Sequence, residues 1–153
     1  MNIFYLDRDQ ETCAQWHCNK HVVKMILETA QMLCTAHWEN ESKAPYRATH
    51  KNHPSTKWAS SNKSNYLWLC KLGKELCKEY SYRYEKTHKT EQHIDWLTEN
   101  LPDLEDGEFS EPPKAMGDFK RPEMSVIENY KFYYKEAKKE LLDYKKREKP
   151  YWI

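Results

Sequence analysis

Polar residues recur at helical spacing between residues 17 and 35, and they combine a carboxylate, amines and imidazoles. On a helix, which turns by about 100° per residue, they share one narrow arc. The members of this polar stripe are His17, His21, Lys24, Glu28, Gln31 and Thr35, with Lys20 at its edge. A carboxylate beside an amine can act as a base or stabilise a cationic sugar-like transition state, and a desolvated lysine can form a Schiff base. The stripe therefore predicts Glu28, Lys24, His21 and Lys20 as catalytic residues.

The same stripe also has a purely structural explanation. Lys24 precedes Glu28 by four residues, which is the spacing of an ordinary ion pair on a solvated helix edge, worth about 0.2–0.5 kcal/mol. Apolar residues fill more than half of the circumference, so the helix is expected to be surrounded on most sides. The sequence leaves open whether the stripe is a solvated edge or the floor of a site.

Residues 50–57 form a second candidate, because they join a basic, amide-rich loop to a helix that begins at Pro54. Free backbone N–H groups and the positive end of the helix dipole attract an anion at such a position. The predicted substrate- or phosphate-binding residues are His50, Lys51, Asn52, His53, Ser55 and Lys57, together with Gln31 of the stripe. Ordinary helix capping by solvated histidines is the alternative interpretation.

Metal binding is disfavoured by the spacing of the possible ligands. Cys13, His17 and His21 lie four residues apart, which spreads three ligands over too much of a helix axis for one tetrahedral zinc. The sequence therefore predicts no metal site and no cofactor. The five cysteines show no tightly repeated spacing, and we expect them to be buried, reduced thiols.

Composition indicates the fold class that must position these residues. The chain has 153 residues, only three glycines and 14% aromatic residues, which favours one helical domain with an aromatic core. We predict an all-α, single compact domain of four to five helices over residues 1–153. The chain is predicted to begin with an extended segment or short strand over 1–7. A helix over 10–38 that breaks near Cys18-Asn19 follows, and then a helix over 54–84 with His53 or Asn52 as its cap. The remaining predicted elements are a short helix over 91–100, an irregular loop or lid over 103–122 and a last helix over 123–147.

Charge and hydropathy indicate which nucleic-acid and membrane partners are expected. The formal net charge is +1, which argues against a uniformly basic protein that coats nucleic acid. A local basic stretch remains, since residues 43–63 hold five lysines or arginines and no acid. No apolar run approaches 20 residues and no signal peptide is recognisable, so we expect a cytoplasmic protein with no membrane partner.

Several longer motifs carry a resemblance to known proteins. The segments CNKHVVKMILETAQML, THKNHPSTKWA, EYSYRYEKTHK and PPKAMGDFK resemble a widespread family of small proteins from tailed phages. More distantly, the pairing of K-x-x-V-x-x-x-L-E-x-x-Q-x-L with a later N-H-P-x-x-x-W is similar to that of pyrimidine-dimer DNA glycosylases of the endonuclease V type. Those enzymes are compact all-α proteins that bend the damaged strand and expel a base.

The resemblance implies a chemistry in which an amine nucleophile acts together with a glutamate, here Glu28. In the endonuclease V type the amine is the α-amino group exposed when the initiator methionine is removed. Here Asn2 follows Met1, and its side chain is large for such trimming. The resemblance therefore implies that Lys20 or Lys24 supplies the amine, or that the enzyme acts as a glycosylase without lyase action.

Two hypotheses follow. The leading one is a phage enzyme, in the cytoplasm of an infected bacterium, that cleaves an N-glycosidic bond in a nucleic acid or a nucleotide. The alternative is a non-catalytic phage protein that binds a host or defence factor or nucleic acid. Convergence of the stripe and the 50–57 loop on one concave pocket favours the first, whereas a stripe that faces open solvent favours the second.

Overall fold

Six α-helices and two 3₁₀ turns make up the regular structure of the chain in this computed structural model, which describes all 153 residues and contains no strand. The helices are α1 (Gln10–Gln15), α2 (Asn19–Trp38), α3 (Pro54–Ala59), α4 (Lys63–Tyr84), α5 (Glu91–Glu99) and α6 (Val126–Ala137), and the 3₁₀ turns cover Gly117–Phe119 and Lys139–Leu141. The predicted all-α class and single domain are confirmed. No helix is both long enough and apolar enough to cross a membrane.

Helix α2 is the central element, packed against α3, α4 and α5. Its apolar positions Val22, Ile26, Ala30 and Leu33 are completely buried, as the broad apolar arc predicts. The predicted break before α2 is also present. Cys18 has extended backbone angles (φ −66°, ψ 162°) and precedes the first turn of α2, so α1 and α2 are separate helices.

The first residues are extended and lie inside the protein. Ile3, Phe4, Tyr5 and Leu6 are all buried, and the segment forms no strand. The thiol of Cys13 donates a hydrogen bond to the carbonyl of Phe4 at 3.2 Å. Because four consecutive side chains are enclosed, the chain start is held in one place beside α2.

The predicted helix over 54–84 is two helices rather than one. Helix α3 ends at Ala59 and α4 begins at Lys63, where the side chain of Asn62 accepts a hydrogen bond from the Asn65 N–H at 2.9 Å. Ser60, Ser61 and Asn62 are residues that compete for backbone hydrogen bonds and favour caps over helix interiors. The interruption follows from that local competition.

The last helix is shorter than the predicted range 123–147, because α6 ends at Ala137. The residues beyond it fold back onto α1 and α4. Arg147 donates to Glu79 at 3.0 Å, and Glu79 also accepts from the buried Arg83 at 2.7 Å. The carboxylate of Glu79 thus binds two guanidinium groups, and a straight continuation of α6 would lose one of them.

Residues 103–122 are irregular apart from one 3₁₀ turn, as predicted. The segment is bound to its neighbours by hydrogen bonds, which include Lys63 N–H to the Glu105 carbonyl at 2.9 Å and Trp58 Nε1–H to the Ser110 carbonyl at 2.9 Å. Its Met116 side chain is buried. A role of this segment as a lid stays a prediction.

Gly73 lies where α4 approaches α2 and α5 closely, so a substitution at this position tests the packing. A Cβ atom at this position would lie 3.0 Å from Ile94 Cδ1 and 3.2 Å from Thr29 Cγ2. We expect Gly73→Val to lower the free energy of unfolding by about 1–3 kcal/mol through overpacking, measured by urea denaturation. Lys71→Val, at an exposed position of the same helix, is the control and should change it by less than about 0.5 kcal/mol. Equal effects would contradict the packing described.

Candidate active site

The chain start and the polar stripe of α2 meet at an ion pair. The α-amino group of Met1 lies 3.2 Å from Glu28 Oε1, and the Glu28 side chain is only 12% exposed. The buried segment over residues 3–6 holds the amine in this position. A carboxylate that is largely removed from water is stable as an anion only beside a cation or hydrogen-bond donor, and the α-amino group fills that role.

A second amine approaches the other oxygen of the same carboxylate. Lys24 Nζ lies 3.7 Å from Glu28 Oε2, but the Lys24 side chain is 69% exposed. The predicted pairing of Lys24 with Glu28 is therefore present at the rim of the site. The two amines differ in environment, because that of Met1 is enclosed whereas that of Lys24 extends into solvent.

His21, one of the predicted catalytic residues, is buried against an aromatic ring and a tyrosine. Its imidazole stacks on Phe4 with a centroid distance of 4.2 Å and an interplanar angle of 11°. Nδ1 lies 2.7 Å from the hydroxyl of Tyr134. Burial, helped by the positive charges of His17, Lys138 and Lys24, lowers the pKa of His21 to about 3. The ring is neutral at physiological pH.

These groups line one cavity of about 240 Å³. Its walls include Met1, His21, Lys24 and Glu28, together with Tyr133 and Lys138 from the C-terminal part of the chain. Three cationic groups, the Met1 amine and the lysines at 24 and 138, surround a single carboxylate. The excess of positive charge gives the cavity a field that attracts an anionic ligand.

Tyr133 and Lys138 are site residues that the sequence analysis did not assign. Lys138 Nζ lies 5.1 Å from the centre of the Tyr133 ring, within the range of a cation–π contact. The only signal in the sequence was the alternation of aromatic and basic residues in α6. That signal is ambiguous, because the neighbouring Tyr130 and Tyr134 are core residues.

Four members of the stripe do not line the cavity, and two of them, Lys20 and His17, have surroundings of their own. Lys20 borders a separate groove with Val23, Tyr84 and Leu141. His17 is buried, and its Nδ1 lies 2.7 Å from the Cys13 carbonyl. Burial lowers the pKa of His17 to about 4. The stripe therefore divides into a part that lines the cavity and a part that belongs to other surroundings.

The 50–57 loop lies near the site at His53, although no residue of the loop lines the cavity. This residue caps α3 as predicted, since Ser55 N–H donates to His53 Nδ1 at 3.0 Å. Burial lowers the pKa of His53, the positive charges of the chain-start amine and His50 lower it further, and the negative charge of Glu28 raises it. His53 thus lies close enough to the Met1–Glu28 pair to interact with both charges.

The remaining loop residues have different surroundings. His50, Lys51, Asn52 and Lys57 are exposed, so their side chains are free to contact a ligand outside the cavity. Ser55, by contrast, is buried and its hydroxyl makes no hydrogen bond. The structure therefore presents the basic and amide groups of the loop to solvent and turns the serine inward.

Gln31 extends the stripe by one turn beyond the cavity. It is partly buried and borders a groove with Arg47 and Thr49. Thr49 N–H donates to Thr35 Oγ1 at 3.0 Å, which holds the loop alongside α2. Gln31 and residues 45–49 thus line a groove of their own, distinct from the cavity at Glu28.

Comparison with known proteins identifies the family of this chain. A family model described as pyrimidine dimer DNA glycosylase matches residues 1–92, and the match includes the chain start, the α2 stripe and the 50–57 loop. No curated protein and no solved structure matches the chain. Because the matched region is more than half of the 153 residues, the chain belongs to the pyrimidine dimer DNA glycosylase family.

Proposed function

We propose that the protein is a DNA glycosylase that releases a damaged base, with the α-amino group of Met1 as nucleophile and Glu28 as its carboxylate partner. The observation that carries the proposal is the 3.2 Å contact between these groups in the wall of a cavity. Membership of the pyrimidine dimer DNA glycosylase family supports duplex DNA rather than a free nucleotide as the substrate.

The proposed reaction begins with transfer of a proton from the Met1 ammonium group to Glu28. The free amine then attacks C1′ of the deoxyribose, the C1′–N bond breaks, and the base departs with the electron pair and takes up the proton held by Glu28, which returns to its carboxylate form. Loss of a second amine proton and opening of the C1′–O4′ bond, with protonation of O4′, give a Schiff base between Met1 and the sugar. Water hydrolyses this imine and regenerates the amine. Glu28 stabilises the cationic intermediates through its negative charge.

The α-amino group fits the nucleophile's role better than Lys24 does. It is enclosed at one wall of the cavity and fixed by the buried segment behind it, whereas the Lys24 side chain is 69% exposed. A fixed nucleophile reacts faster because its orientation is already set. Lys24 then serves as a positive charge for the DNA backbone, and Lys20 has no part in the chemistry.

Glu28→Gln tests the carboxylate. We expect the variant to lose about 10²–10⁴-fold in the rate of C1′–N bond cleavage in ultraviolet-irradiated duplex DNA, measured as abasic sites, because a neutral amide neither accepts the proton nor stabilises the cation. Glu136→Gln, at an exposed position of α6, is the control and should retain the wild-type rate. The glycosylase proposal is abandoned if the wild-type protein cleaves no C1′–N bond in irradiated or alkylated DNA, or if the two variants have equal rates.

The identity of the amine is tested by borohydride reduction of the Schiff base, followed by mass spectrometry of the trapped peptide. We expect the adduct on the α-nitrogen of Met1. One residue added before Met1 should reduce trapping about 10²-fold, since it displaces the amine, whereas Lys24→Ala should still be trapped. An adduct on Lys24 would assign the nucleophile to that lysine. Intact-mass measurement must also find Met1 as the first residue of the active protein, and any other first residue contradicts the proposal.

The loop beside the cavity is proposed as the contact for the DNA backbone. His50, Lys51, Asn52, His53, Lys57 and Gln31 are the residues given this role. Ser55 is left out because its hydroxyl is buried and unpaired. Lys51 and Lys57 are exposed, which suits contacts to phosphate that position the strand without reading its sequence.

Salt dependence tests these contacts. Lys51→Ala and Lys57→Ala should each weaken binding to undamaged and damaged duplexes alike. Each should also reduce the slope of log K against log salt by about 0.9, the value for one phosphate contact. Lys71→Ala on α4 is the control and should leave the slope unchanged. A slope that is unaffected by either loop substitution would place the DNA elsewhere on the surface.

A further inference from the structure

A tyrosine outside the matched family region contacts the site through His21. Tyr134 lies on α6 and is completely buried. Its hydroxyl is 2.7 Å from Nδ1 of His21 and accepts a hydrogen bond from the backbone N–H of Cys18 at 3.2 Å. The hydroxyl therefore bridges the start of α2 and the imidazole that lines the cavity.

The direction of the hydrogen bond to His21 follows from these partners. Since Cys18 N–H already donates to the tyrosine oxygen, the hydroxyl proton is available for another acceptor. The nearby acceptors are His21 Nδ1 at 2.7 Å and Cys18 Sγ at 3.7 Å, and nitrogen at the shorter distance is the stronger acceptor. Burial raises the pKa of Tyr134 well above its ordinary value, so the hydroxyl keeps its proton. Nδ1 accepts, and the neutral ring carries its proton on Nε2.

The other contacts of the imidazole leave Nε2 without a partner in the protein. Stacking on Phe4 fixes the plane of the ring, and the Tyr134 contact occupies Nδ1. Nε2 is the remaining polar atom of a residue that borders the cavity, and it makes no hydrogen bond within the protein. Its N–H group is therefore available to a ligand in the cavity.

We propose that Tyr134 is a positioning residue that holds His21 as a neutral imidazole with Nε2–H directed at the departing base. This inference rests on the proposed glycosylase function. The acceptor is a carbonyl oxygen of the base, which gains negative charge as the C1′–N bond breaks. A donor oriented in advance toward developing charge stabilises the transition state without reorganisation.

The charges around the ring explain why a neutral donor suits this position. The groups that face His21 are the Met1 amine and the side chains of His17, Lys24, Glu28 and Lys138. Only Glu28 among them carries negative charge. An imidazolium here would repel the cationic Schiff base proposed on Met1, whereas a neutral N–H donates without adding charge.

The ¹⁵N NMR spectrum of wild-type protein with labelled histidine tests the tautomer directly. Between pH 5.5 and 8 we expect the His21 signals of a neutral ring, with Nε2 protonated and Nδ1 unprotonated. Protonation on Nδ1, or an imidazolium ion at pH 7, would overturn the proposal. This measurement needs no substituted protein and no DNA, so it decides the assignment even if the glycosylase proposal fails.

Tyr134→Phe tests the positioning role in catalysis. Removal of this hydrogen bond should allow both neutral tautomers, so that each ring nitrogen is protonated in part. The rate of base release should fall about five- to tenfold, with DNA binding unchanged. Tyr66→Phe is the matched control, because its hydroxyl contacts the imidazole of His37 at 3.1 Å away from the cavity. An unchanged His21 spectrum and rate in Tyr134→Phe would overturn the role.

Two further variants keep the test decisive if Tyr134→Phe fails to fold. His21→Gln places an amide near the Nε2 position, whereas His21→Asn places one near the Nδ1 position. We expect the glutamine variant to be at least about tenfold faster than the asparagine variant in base release, since only the former retains a donor toward the cavity. Equal rates would contradict an Nε2–H donor. Loss of activity in Glu28→Gln alongside equal rates here would reject this inference and retain the glycosylase.

Discussion

The ion pair between the chain start and Glu28 is the interaction on which the site depends. A largely buried carboxylate without a partner would cost several kcal/mol, and the α-amino group of Met1 meets that requirement at 3.2 Å. The amine is held there because Ile3, Phe4, Tyr5 and Leu6 are enclosed in the core. The burial of these four apolar residues thus positions the Met1 α-amino group, which is not part of any helix.

The fold was largely predictable because its main determinants are local. The spacing of apolar residues identified α2, and the cap and Pro54 identified the start of α3. The interruption over residues 60–62 was missed, since polar residues are tolerated in an exposed helix and only the Asn62 cap shows that the helix restarts. The end of α6 at Ala137 depends on Arg147 binding Glu79 across 68 residues, and helical periodicity carries no such information.

The candidate site was likewise predictable only where its residues are close in sequence. The α2 stripe placed His21, Lys24 and Glu28 together because residues on one helix face have fixed spacing. The position of the Met1 amine beside Glu28 depends on the path of the buried segment in three dimensions. Residue spacing alone does not predict that path. Tyr133 and Lys138 reach the cavity, and Tyr134 reaches His21, only because the C-terminal part of the chain returns to α2. The family match over residues 1–92 covers Met1 and the α2 stripe, and it does not cover Tyr133, Tyr134 and Lys138.

The most direct test of the central claim is a crystal structure of the protein after borohydride reduction on a duplex that contains an abasic deoxyribose. We expect continuous density from the α-nitrogen of Met1 to C1′, with the Glu28 carboxylate within about 3–4 Å of that nitrogen, the contact range of an ion pair. A covalent bond to Lys24, or a sugar bound away from Glu28, would contradict the claim that the chain start and the α2 stripe form one catalytic site.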